Sequence, residues 1–321
     1  MRLTTAAAAV LASGGAAFAA RYRRDLAEAN ARLARVDRRT IRSVSGPLEY
    51  AEWGEGVPLL LVHGVVGGCD CPPSWRALVP EGYRMITPSR FGYLGSPLPA
   101  EASVASQADA YASLLDSLRI DKAPVLAFSA GSTSAVLLAL RHPERVSALV
   151  LAAANAPHDK PVTLVPRPLA PLVFSQPSLW FLRLFLRRQL ARIAGTPRNY
   201  DLAAEDRRTL EAVFDSFFPM RPRATGTIFD GYVGNPEIAT YPLERISVPT
   251  LGVHARDDPL APYEDARAMV ARIPGSRWVA VASGGHIFLH KNEEALTQIA
   301  RFLEETTPRH RPSFASGRRT P

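Results

Sequence analysis

The sequence predicts an α/β domain whose mostly parallel sheet is covered by helices on both faces, with an all-helical segment inserted late in the chain. Three observations carry this. Runs such as "VPLLLVHG", "APVLAF" and "VSALVLAAA" are apolar throughout rather than alternating, as strands buried on both faces are. Stretches with helical spacing separate them, so strand and helix alternate. That rhythm stops from about residue 156 to residue 242 and resumes at Ile246.

Taken in order, residues 1–20 contain "LTTAAAAVLASGGAAFAA", 18 uncharged residues followed by "RYRR". The segment is Ala-rich, only weakly hydrophobic and short for a membrane span. The expectation is a membrane anchor through residues 3–20, with the body left on the more basic, cytoplasmic side. An export signal cleaved after "AFA", and a plain surface helix or disordered tail, are the alternatives. Residues 21–42 read as a basic helical stalk. The first part of the core then runs over 43–155: "LEYAEW" as a strand, "GEG" as a hairpin turn, "VPLLLVHG" as a buried strand, and "YRMITPS" as another. Helical spacing links Ala108, Tyr111, Leu114, Leu115 and Leu118; "STSAVLLALRHP" is a helix stopped by Pro143.

Residues 156–242 are Pro-rich and then helical, as in "SLWFLRLFLRRQLARI", and read as a lid over the sheet's C-terminal edge, where ligands bind in such sheets. The second part of the core, 243–306, holds "ISVPTLGVHARDDPLAP", "YEDARAMVARI", "SRWVAVAS" and "EEALTQIARFLEE". Residues 307–321 read as a disordered basic tail.

Net charge is +8, but it is not spread evenly: residues 1–42 carry +6, 307–321 carry +4, and the body between them −2. A slightly acidic body with basic ends argues against nucleic acid as a partner and fits an anionic membrane surface better. Two cysteines, Cys69 and Cys71, cannot build a disulfide framework, and no His/Cys set has metal-ligand spacing, so no metal or cofactor is expected.

Serine becomes a useful nucleophile only when a base takes its proton and donors hold the developing oxyanion. Ser129 sits in "AFSAGS", between a strand and a helix, where small neighbours (Ala127, Ala130, Gly131) permit a sharp turn. His286 follows the last strand in "VAVASGGHIFLH"; His290, four residues on, reads as structural. Asp258 follows a strand in "HARDDPLAP", with Asp257 as its competitor. The loop after His63-Gly64 is suited to presenting the backbone N–H of Val65, which with that of Ala130 makes an oxyanion pair; the His63 ring reads as a brace for this loop. The order Ser, Asp, His, each after its own strand, is the order of a catalytic triad in one fold.

From about Arg42 to Glu305 the chain resembles the α/β-hydrolase family, in its lid-bearing, serine-nucleophile group. The matching pieces are "LLLVHG", "RFGYLGSP", "AFSAGSTSAVLLALRHPERVSALVL", "PTLGVHARDDPLAP" and "SGGHIFLHKNEEALTQIARFL". The chain departs from the pattern at Ala127, where the elbow's first glycine is usual, and at Ser89, where an acid often stands. The resemblance implies that Asp258, four residues before Pro262, is the triad acid. It also implies a serine hydrolase acting on a carboxylic ester or related acyl bond of a small apolar substrate. Arg90, Phe128 and Trp180 are the expected substrate-binding residues, Arg90 being the nearest candidate cation for a substrate carboxylate. The alternatives are C–C bond hydrolysis or acyl transfer on the same triad, or a hydrolase-fold binding protein of low turnover.

Overall fold

The computed structural model describes residues 2–158, 165–198, 200–289 and 293–307. A long helix, α1 (Arg2–Ala34), precedes strands β1 (Arg38–Ser43), β2 (Gly46–Trp53) and β3 (Val57–Val62). The short α2 (Pro73–Arg76) leads to β4 (Tyr83–Pro88), α3 (Val104–Ser117) to β5 (Ala123–Phe128), and α4 (Gly131–Arg141) to β6 (Val146–Ala152). After β6 the described residues hold no strand before β7. They form α5 (Ala170–Val173), α6 (Gln176–Phe185), α7 (Arg187–Ile193), α8 (Ala204–Ser216), α9 (Ala224–Phe229) and α10 (Asn235–Glu237). The core resumes with β7 (Thr250–Ala255), α11 (Tyr263–Ala271), β8 (Arg277–Val281) and α12 (Glu293–Thr306).

The eight strands lie in the order β1-β2-β4-β3-β5-β6-β7-β8. β1, β2 and β4 pair antiparallel; all pairs from β4 through β3 to β8 are parallel. Alternate residues of each buried strand feed opposite faces, as the pleat requires. Leu59, Leu61, Leu126, Phe128 and Val150 face a core shared with α1, α12 and the helical insertion. Leu60, Val62, Val125, Ala127 and Leu149 face α3, α4 and α11.

Two expectations are corrected here. The "GEG" turn does not make a hairpin, because β4 lies between β2 and β3. β3 is buried along most of its length and takes a central, parallel place, whereas β2 pairs with β1 toward the edge. The supposed stalk also does not stand free. Its last residues form β1, paired with β2 from Arg38↔Ala51 to Ser43↔Gly46. Its helical part packs on the body: Ala29 is fully buried, and Tyr22 and Leu26 join the core cluster. Among the described residues no helix is long and apolar enough to cross a membrane, so α1 gives no support to a spanning anchor in residues 3–20. The expected tail lies almost wholly outside the described residues, and His290 lies outside them too.

Candidate active site

The chain leaves β3 for β4 on one side and reaches β5 on the other, so the strand order reverses between β3 and β5. The loops leaving these two strands therefore diverge and open a crevice at the sheet's C-terminal edge. Val65 follows β3 and Ser129 follows β5, so both stand at this crevice.

Ser129 has φ +52°, a left-handed conformation costly for a residue with a Cβ. Strand and helix hold it there. Its N–H donates to the Ala152 carbonyl, and its own carbonyl accepts from Ser132 and Asn155. The turn is crowded: a Cβ on Gly131 would come within 2.5 Å of the Val62 carbonyl oxygen, so glycine is required there. Ala127, where the chain departs from the usual glycine, is a strand residue whose methyl is wholly buried in the core.

The tight turn aims Ser129 Oγ at His286 Nε2, 2.8 Å away, and His286 Nδ1 lies 2.8 Å from Asp258 Oδ2. Asp258 is well supplied with donors. Its Oδ1 accepts from the N–H groups of Leu260 (2.8 Å) and Ala261 (3.0 Å), and His254 Nε2 stands 3.1 Å from Oδ2. Burial by itself would raise the Asp258 carboxyl; the charge of His286 and the hydrogen bonds from His254 and His286 outweigh it and hold the group well below the usual carboxylate range. Asp257 turns elsewhere and accepts from the N–H groups of Gly284 (3.2 Å) and Gly285 (2.9 Å), fixing the loop that carries His286.

His63 is wholly buried. Its Nε2 accepts from the Arg90 N–H at 3.0 Å, so Nδ1–H donates to the Gly64 carbonyl at 2.7 Å. Burial and the charge of Arg90 push its pKa well down, leaving a neutral ring that braces the loop ahead of Val65. Among the described residues neither the Val65 nor the Ala130 N–H donates to another backbone group in the turns and loops.

These groups open onto a cavity of about 410 Å³, lined by Val65, Phe128, Ser129, Ala130 and His286 from the core, and by Phe174, Phe217 and Tyr232 from the insertion. Two expected lining residues are elsewhere. Arg90 is buried in a two-pronged ion pair with Asp230 of the insertion, and the Tyr93 hydroxyl donates to the same carboxylate. Burial opposes its charge, but Asp230 and Tyr93 keep the guanidinium protonated. Trp180 is buried against α1: its ring meets Phe18 and Tyr22, and its Nε1–H donates to Asp25 at 2.9 Å. Amphipathic spacing marks Trp180 as inward-facing without saying which surface it faces.

One contributor carries no local signal in the sequence. Gly195, with φ +85°, lies against His286, whose N–H donates to the Gly195 carbonyl at 3.0 Å. A Cβ there would come within 2.2 Å of His286 Cβ, so the insertion touches the histidine through bare backbone.

The alpha/beta hydrolase fold family model matches residues 57–293. Over 115 residues the chain is 40% identical to the protein named uncharacterized hydrolase YcgS of Bacillus subtilis (strain 168), a match spanning 36% of this chain and only 40% of that protein. It is 30% identical to the 2-hydroxymuconate semialdehyde hydrolase of Pseudomonas putida over 271 residues, covering 80% of this chain and 90% of the relative. Among solved structures, an alpha/beta hydrolase fold protein from Nakamurella multipartita superposes with a TM-score of 0.67 at 29% identity, over 83% of this chain and 99% of that one. The chain belongs to the alpha/beta hydrolase fold family and is a hydrolase of that fold.

Proposed function

We propose that the protein is a serine hydrolase that cleaves a carboxylic ester, or a related acyl bond, of a small apolar substrate through an acyl-enzyme. The observation that carries this reading is the unbroken chain from Ser129 Oγ through His286 to Asp258, with both links at 2.8 Å and its open end in the cavity. Ser129 Oγ adds to the acyl carbonyl as His286 Nε2 takes its proton, and Asp258 holds the imidazole with Nδ1–H toward the carboxylate. The N–H groups of Val65 and Ala130 receive the oxyanion. His286 then returns the proton to the leaving alcohol, and the ester bond to that alcohol breaks. Water, deprotonated by the same nitrogen, releases the acid and restores Ser129. The insertion acts as the lid, since its Phe174, Phe217 and Tyr232 complete the cavity.

The named Pseudomonas relative raises C–C hydrolysis as the competing reading. A substrate that bears a carboxylate calls for a fixed cation, and among the described residues no Lys or Arg lines this cavity. Arg90 is already committed to Asp230. This favours neutral acyl substrates. A fluorophosphonate probe with a p-nitrophenyl ester series tests the proposal. The wild type is expected to label and to hydrolyse the esters, and Ser129→Ala to lose labelling and at least about 10⁴-fold in kcat/KM. Labelling that persists in Ser129→Ala, or saturable ester binding without turnover by the wild type, overturns it.

A further inference from the structure

Away from the cavity, Phe18 of α1 and Phe181 and Phe185 of α6 form one aromatic cluster. The ring centroids of Phe18 and Phe185 are 6.2 Å apart, and those of Phe181 and Phe185 4.9 Å. All three rings are about half exposed, at 46%, 48% and 55%. Phe18 and Phe181 border an apolar groove between α1 and the α5–α6 segment, about 730 Å³ in volume, which Leu172 and Val173 also line. Leu172 and its neighbour Leu169 are themselves exposed. Three aromatic rings and two leucines left about half exposed forfeit part of the stabilisation that burial gives such groups, and contiguous patches of this kind mark surfaces that meet something else.

The charge around the patch says what that is. Residues 165–195, which supply the α5–α6 side of the groove and continue into α7, carry five arginines and no acidic residue. Arg183 and Arg187 pair with Asp215 and Glu211 of α8. Among the described residues, Arg167, Arg188 and Arg192 have no carboxylate within ion-pair distance, and Arg188 and Arg192 are exposed on α7. A second copy of the chain would set these arginines against each other. An anionic phospholipid surface offers phosphates to the arginines and an acyl boundary to the rings.

We propose that this face is a peripheral docking surface for an anionic phospholipid bilayer. α1 lies along it rather than spanning it: Phe18 joins the two α6 phenylalanines at headgroup depth, and the arginines of the α5–α7 segment hold lipid phosphates. The surface adjoins the cavity. Val173, the last residue of α5, lines the groove and the next residue, Phe174, lines the cavity, so the two adjoin at the end of α5. Ile193 of α7 is exposed and lines the cavity as well. Docking thus brings the cavity's helical wall against a source of apolar acyl chains. The proposal stands on the surface alone and does not require Ser129 to be the nucleophile.

The test is flotation of the full chain with vesicles of phosphatidylcholine, alone or with about one-fifth phosphatidylglycerol. The wild type is expected to float with the anionic vesicles about tenfold more than with the neutral ones, and to be released as ionic strength rises past the Debye regime. The triple variant Phe18→Ser/Phe181→Ser/Phe185→Ser and the double variant Arg188→Glu/Arg192→Glu should each lose at least about tenfold of that binding. The double variant changes only exposed side chains, so its circular dichroism spectrum and unfolding temperature should match the wild type. Absence of flotation with anionic vesicles overturns the proposal, as does undiminished flotation of the charge-reversed variant. A dimer in solution that the triple variant dissolves, without vesicle binding by the wild type, also overturns it and assigns the face to a second copy.

Discussion

Asp257 and Asp258 are neighbours with different duties, and a single oxygen-to-nitrogen replacement separates them. In Asp258→Asn the amide replaces the carboxylate facing His286 Nδ1, so the ring loses both its charge partner and the acceptor that fixes its tautomer. A fall in kcat/KM of about 10⁴-fold is expected. Asp257→Asn keeps an oxygen to accept from Gly284 or Gly285 and should cost less than about tenfold. Ester hydrolysis by the two variants reads the difference directly, and equal losses would refute the division of labour. The same residue bears on acid stability. The folded Asp258 carboxyl lies below its ordinary value, so its contribution is fully present above about pH 4 and is lost as pH falls through the folded value. The unfolding temperature of the wild type should therefore drop more steeply below about pH 4 than that of Asp258→Asn. Asp258, Ser129 and His286 are legible in the sequence because each follows a strand that a run of apolar residues announces. The role of Asp257 is not, because its partners come from a loop 27 and 28 residues further on.

At the scale of elements, the question is what holds the helical insertion on the core. Arg90, just after β4, and Asp230, after α9, answer it with a buried, two-pronged pair that also receives the Tyr93 hydroxyl. Removing one partner strands a charge in a site where both side chains are 5% exposed. Asp230→Ala is expected to lose about 3–5 kcal/mol in urea unfolding. Its KM for esters should rise, because Gly231 and Tyr232 of the cavity wall follow directly. The double variant Arg90→Met/Asp230→Leu should recover most of the stability, since an apolar pair of similar volume restores packing without the stranded charge. If the double variant is no more stable than Asp230→Ala, the pair is not what fastens the insertion. The sequence offers Arg90 as a substrate-binding cation because it cannot show that its charge is already spent on Asp230. Its partner lies 140 residues away in a stretch whose helical pattern leaves the position of each residue open. Trp180 is misplaced for the same reason: the inward face of α6 is evident from spacing, while the element it faces belongs to tertiary structure.

For the whole molecule, α1 is the part whose place the sequence conceals most. A charged helix after an Ala-rich run looks like a tether, because the groups that fasten it are few and their partners are remote. Arg32 is chief among them. Its guanidinium donates to the carbonyls of Asp215 and Phe218, the latter at 2.6 Å, at the C-terminal end of α8. The last turn of a helix points its carbonyls outward as acceptors, and a cation there is favoured by the helix dipole as well. Around this contact Ala29 is fully buried, and Tyr22 and Leu26 pack on the core. If α1 is a working part of the fold, Arg32→Ala should lower stability by about 1.5–3 kcal/mol, the range for hydrogen bonds to charged groups. Because the acceptors are carbonyls rather than carboxylates, the loss should change little between low and high salt, unlike that of a surface ion pair. Arg32→Lys should recover part of it, keeping the charge but lacking the reach of Nη2, the one nitrogen that donates to both oxygens. Native-state hydrogen exchange gives the local reading. In Arg32→Ala, the amides of residues 20–34 should exchange faster, along with the last turn of α8, while β5 and β6 stay protected until global unfolding. An independent tether predicts the opposite outcome on every count: unchanged stability, unchanged exchange in α8, and amides of residues 20–34 that exchange freely in the wild type.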